Sequence, residues 1–378
     1  MQAARVIVHL DNFLRNFQII KERVAGRHIC VPVKANAYGH GAAAIARESL
    51  AAGAFCLGVA TVQEGAALRE EGINAPILLF SQPLPAETPE IVKNRLIPLV
   101  SDGEFAVMLD QAAAVAQIRL PVHLKIDTGM GRVGCPPPQA ADLAKRIAAC
   151  AALEYAGTAT HLAVADSAAP DDRAYTERQI ACFNDALDNI RAAGLNPGIV
   201  HAANSGAVIL HPGAWFDMVR PGILLYGYNM VSAIETADAT PIPAVEPVME
   251  LRTNVVLIKQ VKKGETISYG RTWTAPQDTE VAVLSVGYAD GLPRLASNKW
   301  QAVIGGKTYP LVGRICMDQC MADIGPASGV RRWDEAALFG GPALSAAVLA
   351  ERIGTIPYEI TCNASKRAPR VYEGGYTC

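Results

Sequence analysis

Polar side chains stand at the ends of five short apolar runs. Lys34 closes ICVPVK (29–34), Lys125 and Asp127 share one side of VHLKID (122–127), His161 ends LEYAGTATH (153–161), Asn204 ends IVHAAN (199–204) and Arg220 ends FDMVR (216–220). An amine held at such an end is a nucleophile for a carbonyl. An arginine offers a planar fork to a carboxylate or phosphate. A histidine accepts or donates a proton near neutrality. Packing alone places a few such groups by chance, but their recurrence in register points to one constructed rim. In a parallel barrel that rim is where active sites are built.

The elements that would carry these residues alternate. Strands are read at 4–9, 29–34, 55–60, 76–80, 97–100, 122–127, 153–161, 199–204 and 216–220. Helical spacing separates them at 11–25 (with Asp11 placed to cap), 42–53, 62–72, 103–118, 139–152, 171–193 and 205–210. Strand then helix, repeated at roughly 25–30 residues per unit, predicts an α/β fold of the (β/α)8 TIM-barrel type over residues 10–235. A doubly wound sheet would want a glycine-rich dinucleotide turn after its first strand, and the sequence has none. Around Val231–Met249, with Pro241, Pro243 and Pro247, the texture changes. NVVLIKQV, EVAVLSVGY, QAVIG, KTYPLVG and MADIG are short β-rich runs, which predict a mainly β C-terminal domain over 236–378. The strand in residues 1–9 precedes the barrel repeat and is expected to join that second domain.

Composition narrows the function classes. Of 378 residues, 51% are hydrophobic and the formal net charge is −2, so no basic footprint for nucleic acid exists. No apolar run reaches the ~18–20 residues of a membrane span. The nine cysteines are scattered and match no paired metal-ligand spacing, so reduced thiols and no metal are expected. MQAARVIVHLDN lacks a signal-peptide layout, and a cytoplasmic protein is expected.

The chain also carries an ordered set of motifs: VPVKANAYGHG, KIDTGMGRVG, THLAVAD, HAANSG, RPGILLYG, ISYGRTW, GYADGLPR, VGRICMDQ and TIPYEI. Together they resemble bacterial alanine racemase, across both domains and in the same order. The resemblance implies a pyridoxal 5′-phosphate enzyme that interconverts L- and D-alanine, supplies D-alanine for peptidoglycan, and works as a homodimer with shared active sites. Lys34 resembles the lysine that holds the cofactor aldehyde, and Tyr269 a second base given across the dimer interface. Racemisation suits one base on each face of Cα. His161 resembles the histidine beside that tyrosine and the cofactor ring, and is the candidate cation to favour its phenolate. Arg220 resembles the partner of the pyridine nitrogen, with His201 behind it. An arginine keeps its proton, so it leaves that nitrogen unprotonated and the ring a weaker electron sink.

Further roles follow from the same resemblance. Arg132 would meet the substrate carboxylate, and Lys125 resembles a lysine that is carbamylated in the family. Tyr38, Asn204, Ser205, Gly222, Ile223 and Tyr358 would hold the phosphate, with Gly206 beside Ser205 opening the same short helix. Met317 would offer its amide to the substrate carboxylate from the partner subunit. Asp166, Tyr288, Arg294, Arg314 and Ile356 would line the approach corridor. Gly206 stands where many members have alanine, and Pro357 sits between two gate residues. The rival readings are a broader racemase for serine or lysine, a barrel-type decarboxylase and a cofactor carrier. A decarboxylase would want an acidic group in place of Arg220, and a carrier would need neither Tyr269 nor Met317.

Overall fold

The computed structural model describes residues 4–231, 244–341 and 344–376. The expected boundary at 235/236, with Pro241 and Pro243, lies outside the described residues. β1 (Arg5–His9) comes first. Eight strands then form one parallel sheet: β2 (His28–Pro32), β3 (Cys56–Val59), β4 (Ile77–Leu79), β5 (Ile97–Val100), β6 (Leu120–Lys125), β7 (Leu153–Ala159), β8 (Ile199–His201) and β9 (Met218–Val219). Their order is β8-β7-β6-β5-β4-β3-β2-β9. Two backbone hydrogen bonds, Asp217 N to Val200 O (3.0 Å) and Arg220 N to Ala203 O (2.9 Å), bridge the remaining seam and nearly close the barrel. These strands are continuous apolar runs because both faces are covered, by side chains inside and helices outside.

The barrel interior has two layers that matter for function. Cys30, Cys56, Leu78 and Met218 pack as an apolar plug. Beyond this plug a second layer is polar, drawn largely from other strands. His123 and Lys125 rise from β6, His201 ends β8 and Arg220 follows β9, all four buried. The alternation of a strand puts His123 with Lys125, and Met218 with Arg220, on one face.

Lys34 does not end a strand. β2 stops at Pro32, and Lys34 opens a left-handed turn in which Ala35, Asn36, Ala37 and Tyr38 all have φ between 50° and 54°. Four consecutive non-glycine residues in this region are costly, on the order of 1–3 kcal/mol each. The surroundings hold them there. Ala37 N bonds Val33 O at 2.8 Å, Gly39 N bonds Ala35 O at 2.9 Å, and Gly41 N bonds Asn36 O at 2.9 Å. Glu64 Oε1 accepts from Ala35 N at 2.6 Å, and Arg370 Nε donates to Gly39 O at 3.0 Å. The first helix, Leu10–Arg23, begins after His9. Asp11 does not cap it as expected, and instead accepts from Gly375 N at 3.0 Å.

The second domain is mainly β. It comprises β10 (Met249–Val261), β11 (Thr266–Ile267), β12 (Trp273–Thr274), β13 (Thr279–Leu284), β14 (Gln301–Ile304), β15 (Lys307–Pro310), β16 (Cys320–Asp323), β17 (Glu335–Phe339) and β18 (Arg370–Glu373). β1 lies within its large sheet, antiparallel to β10 and parallel to β18. The β11–β12 ribbon carries Tyr269–Arg271 as a tight turn at its tip. Helix Pro357–Cys362 places Tyr358 against Tyr38 of the barrel, with ring centroids 5.8 Å apart.

Gly39 ends the left-handed turn at φ 87°, and a Cβ there would sit 2.0 Å from Thr361 O. Gly39→Ala is therefore expected to cost about 2–4 kcal/mol in urea unfolding, because strain and a backbone clash coincide.

Candidate active site

A cavity of about 250 Å³ opens at the carboxyl end of the barrel. Four cationic side chains line it, Lys34, Lys125, Arg132 and Arg220, against one carboxylate, Asp166. Tyr38, His161, Asn204, Ser205, Gly206, Gly222 and Tyr358 complete its polar wall, while Phe80, Leu99, Met130, Val133, Leu162 and Met230 supply apolar surface. Among the described residues no cluster of three or more His, Cys, Asp or Glu is placed to hold a metal ion.

The lysines respond to this crowding by losing proton affinity. Burial, then the charge of Arg132, pushes the Lys34 amine below the usual lysine value; Glu64 partly opposes this. Lys125 is pushed well below its ordinary value, first by burial and then by Arg220 and Arg132. Asp127 only weakly opposes that shift, since its carboxylate turns to accept from Gly129 N (3.0 Å) and Gly131 N (3.1 Å). Those two bonds shape the loop that presents Arg132.

Arg220 is fixed by its neighbours. Nη1 donates to His201 Nδ1 at 2.5 Å, and Nη2 donates to Thr160 O (2.9 Å) and Ala202 O (3.0 Å). Its Nε has no hydrogen-bond partner among the described residues and remains available at a cavity wall. An arginine only donates, so His201 accepts at Nδ1. A neutral His201 then carries its proton on Nε2, which lies 2.8 Å from His123 Nδ1. Both rings are held below the usual histidine value by burial first and then by Arg220, His123 to about 3. Gly157 makes the room, since a Cβ there would meet His123 at 2.5 Å. The sequence reading passed over His123, although its position two residues before Lys125 on the same strand face signals it.

His161 Nδ1 lies 3.4 Å from Arg220 Nη2. Burial, then Lys125 and the other cations, holds this imidazole well below its ordinary value. It is a neutral ring, so it cannot supply the cation expected to favour a phenolate. The lysine and arginine groups carry the positive field instead.

An anion cradle lies beside this cluster. Asn204 Oδ1 caps helix Ser205–Leu210 by accepting from Ala207 N at 3.1 Å. The amides of Ser205, Gly206 and Ile223 have no partner among the described residues, so they are free to donate. The Gly222 amide, expected to be free as well, donates to Ser205 Oγ at 2.8 Å. A Cβ on Gly222 would sit 2.7 Å from Tyr38 Oη, so glycine keeps this corner open. A Cβ on Gly206 would come within 2.5 Å of Asp166 N, so alanine does not fit this backbone.

A second group of expected site residues does not line the cavity. Tyr269 lies in the ribbon-tip turn and not in a strand, 70% exposed. Its turn rests on the loop of Arg314 through Ser268 Oγ donating to Arg314 O at 2.6 Å. Tyr288 N and Ala289 N bond Cys316 O and Met317 O, both at 3.0 Å. Ser297 Oγ links Arg294 O (2.6 Å) to Ile315 N (3.0 Å). Tyr269, Tyr288, Arg294, Arg314 and Met317 thus gather on one region of the β domain, with Tyr288 42% and Met317 52% exposed. Ile356, also exposed, caps the helix that carries Tyr358.

Fold and cavity together define a barrel enzyme equipped to hold an anion against a reactive amine. Residues 8–230 match the family profile described as alanine racemase, N-terminal domain, and residues 248–372 match alanine racemase, C-terminal domain. The chain is 47% identical over 379 residues to an alanine racemase of Treponema denticola, covering 98% of both chains. It is 43% identical to one of Treponema pallidum, covering 98% of this chain and 100% of that one. Among solved structures, alanine racemase of Clostridium difficile 630 superposes with a TM-score of 0.92 at 32% identity, covering 99% of this chain and 96% of that chain. The Bacillus anthracis enzyme with bound L-Ala-P gives 0.89 at 33% identity, covering 99% and 96%. The chain belongs to the alanine racemase family, isomerases that act on amino acids.

An amine destabilised as a cation loses its proton at a lower pH than a free lysine. Arg132→Ala removes one repulsive charge, so the Lys34 pKa rises. The midpoint pH for reductive alkylation of Lys34, read by peptide mass spectrometry, is expected to move upward in that variant.

Proposed function

We propose that the chain interconverts L- and D-alanine with pyridoxal 5′-phosphate, using one base on each face of the substrate. The observation that carries this reading is the cluster of Lys34, Lys125, Arg132 and Arg220 around one cavity with a single carboxylate. That imbalance suits a ligand bearing a phosphate and a carboxylate, and an amine of lowered proton affinity suits its aldehyde. The free amides of Ser205, Gly206 and Ile223, with the hydroxyls of Tyr38 and Tyr358, would hold the phosphate. Arg220 Nε would meet the ring nitrogen. When bound, the cofactor lowers the acidity barrier at Cα by drawing electron density into its ring.

The chain's own residues do the rest. Lys34 is the first base and holds the cofactor between turnovers. Arg132 orients the substrate carboxylate. Lys125, buried beside two arginines that lower its proton affinity, is suited to take up carbon dioxide and become an anion that steadies Arg132. Tyr269, Met317, Tyr288, Arg294 and Arg314 would complete the cavity of a second copy, in a homodimer with two shared sites. The exposure of Tyr269, Tyr288, Arg294 and Met317 on a single chain supports that role. His201 supports Arg220 from behind. Asp166 and Ile356 would flank the approach. The barrel, 10–235, holds the cofactor, while 236–378 with residues 1–9 supplies the lent residues. D-alanine for peptidoglycan, made in the cytoplasm, is the physiological product we assign. No helix among the described residues is long and apolar enough to cross a membrane.

Chiral chromatography after incubation with a panel of L-amino acids tests the reading. D-alanine is expected to dominate, and loss of carbon dioxide or an inert mixture would overturn it. Lys34→Ala is expected to abolish the yellow absorbance of the bound cofactor. Tyr269→Phe is expected to slow racemisation by about 10²–10⁴-fold, the range of a positioned base. In deuterium oxide that variant should still wash out the α-proton of D-alanine, followed by NMR, far faster than that of L-alanine.

A further inference from the structure

We infer that Asp290 and Arg367 are positioning residues: their ion pair fixes the loop that presents Tyr288 and Met317, and so sets substrate affinity in the partner subunit's cavity. The inference rests on the shared-site reading above.

Asp290 is nearly fully buried in the loop after β13. Arg367 grips it with both arms, Nε to Oδ1 at 2.7 Å and Nη2 to Oδ2 at 2.9 Å. Oδ2 also accepts from Gly287 N at 2.9 Å. The remaining guanidinium nitrogen, Nη1, reaches Asp318 Oδ1 at 2.7 Å. One planar group therefore ties together residues 287–290 and the stretch that contains Met317 and Asp318. Gly287 lets the two loops touch, since a Cβ there would sit 2.3 Å from Met317 O.

The grip is anchored on its far side. Ser365 N bonds Asp290 O at 3.2 Å, and Arg367 N bonds Ser365 Oγ at 3.0 Å. Arg370 then donates to Ala364 O (2.6 Å), Ser365 O (2.7 Å), Ala368 O (3.0 Å) and Gly39 O (3.0 Å). The loop of Met317 is thus referenced to the turn that starts at Lys34. Tyr288 and Met317 are exposed and bury little apolar surface of their own, so the ion pair adds to the backbone bonds between the two loops in placing them. Arg367 and Asp318 are themselves solvent-exposed, where an ion pair adds little stability. Their geometry serves placement more than stability, and a lysine's single point charge could not span the same three carboxylate oxygens.

The test uses the holoenzyme. Asp290→Asn keeps the shape and removes the charge. Arg367→Lys changes an exposed side chain and serves if the first variant folds poorly. Both are expected to raise KM for alanine about tenfold, the loss of roughly one charged hydrogen bond. The turnover number and the yellow absorbance of the bound cofactor should stay near wild type, because Lys34 lies elsewhere. Wild-type KM in both variants would overturn the proposal, as would loss of absorbance in step with activity. A hybrid dimer purified on two tags then locates the effect. It joins an Asp290→Asn chain to a Lys34→Ala chain, so its one live cavity meets an intact loop. Wild-type KM is expected there. A raised KM in the hybrid would overturn the route across subunits, and that failure would belong to the shared-site reading. Unchanged KM in the plain variants would belong to the ion pair itself.

Discussion

Positive charge with too little counter-charge governs the mouth of this barrel. Lys125 and Arg220 are buried, Lys34 is partly so, and Arg132 stands at the rim. Taking an ion out of water costs several kcal/mol even after relaxation. The fold meets this cost differently for each group. Both lysines shed proton affinity and His161, His201 and His123 stay neutral, while the arginines keep their charge, Arg220 satisfied by carbonyls and one imidazole. What is left is a field from the lysine and guanidinium groups, aimed at a cavity whose amides are also free. A ligand carrying negative charge would complete this arrangement.

Rigid placement comes from two unlike devices. Arg220 and its histidines rise from closed-barrel strands, where backbone pairing leaves little freedom. Lys34 and Tyr38 instead sit on a left-handed turn that no local preference supports. That turn survives because Glu64, Gly41, Arg370 and Thr361 surround it. Arg370 and Thr361 come from the far end of the chain, so the barrel's reactive amine is set partly by the β domain.

Much of this was legible beforehand. The strand–helix period showed the barrel because parallel strands covered on both faces read as unbroken apolar runs. The β domain showed itself by short runs and turn residues. The helix Thr88–Lys93 was passed over, being six residues long with a proline in its first turn. The left-handed turn was illegible because AYGHG looks like any polar turn until its tertiary clasps are seen. The neutrality of His161 was likewise hidden, since it depends on burial and on cations from separate strands. ISYGRTW has β-prone residues, yet Tyr269 lies outside a strand because Ser268 and Gly270 at positive φ break the segment into a turn. The single free amide after Pro221, where two were expected, follows from a bond to Ser205 that spacing cannot show.

β1 pairs with β10 and with β18, so a strand at residues 5–9 shares a sheet with one at 370–373. Synthesis runs at ~5–20 residues per second, so on the order of tens of seconds separate the two. During that interval the barrel can close while β1 waits with its β18 edge unpaired, a state open to pairing with another nascent chain. Chaperone engagement would be most useful in that window, and a ribosome that stalls late in the message would leave a finished barrel with one edge of its first strand still unpaired.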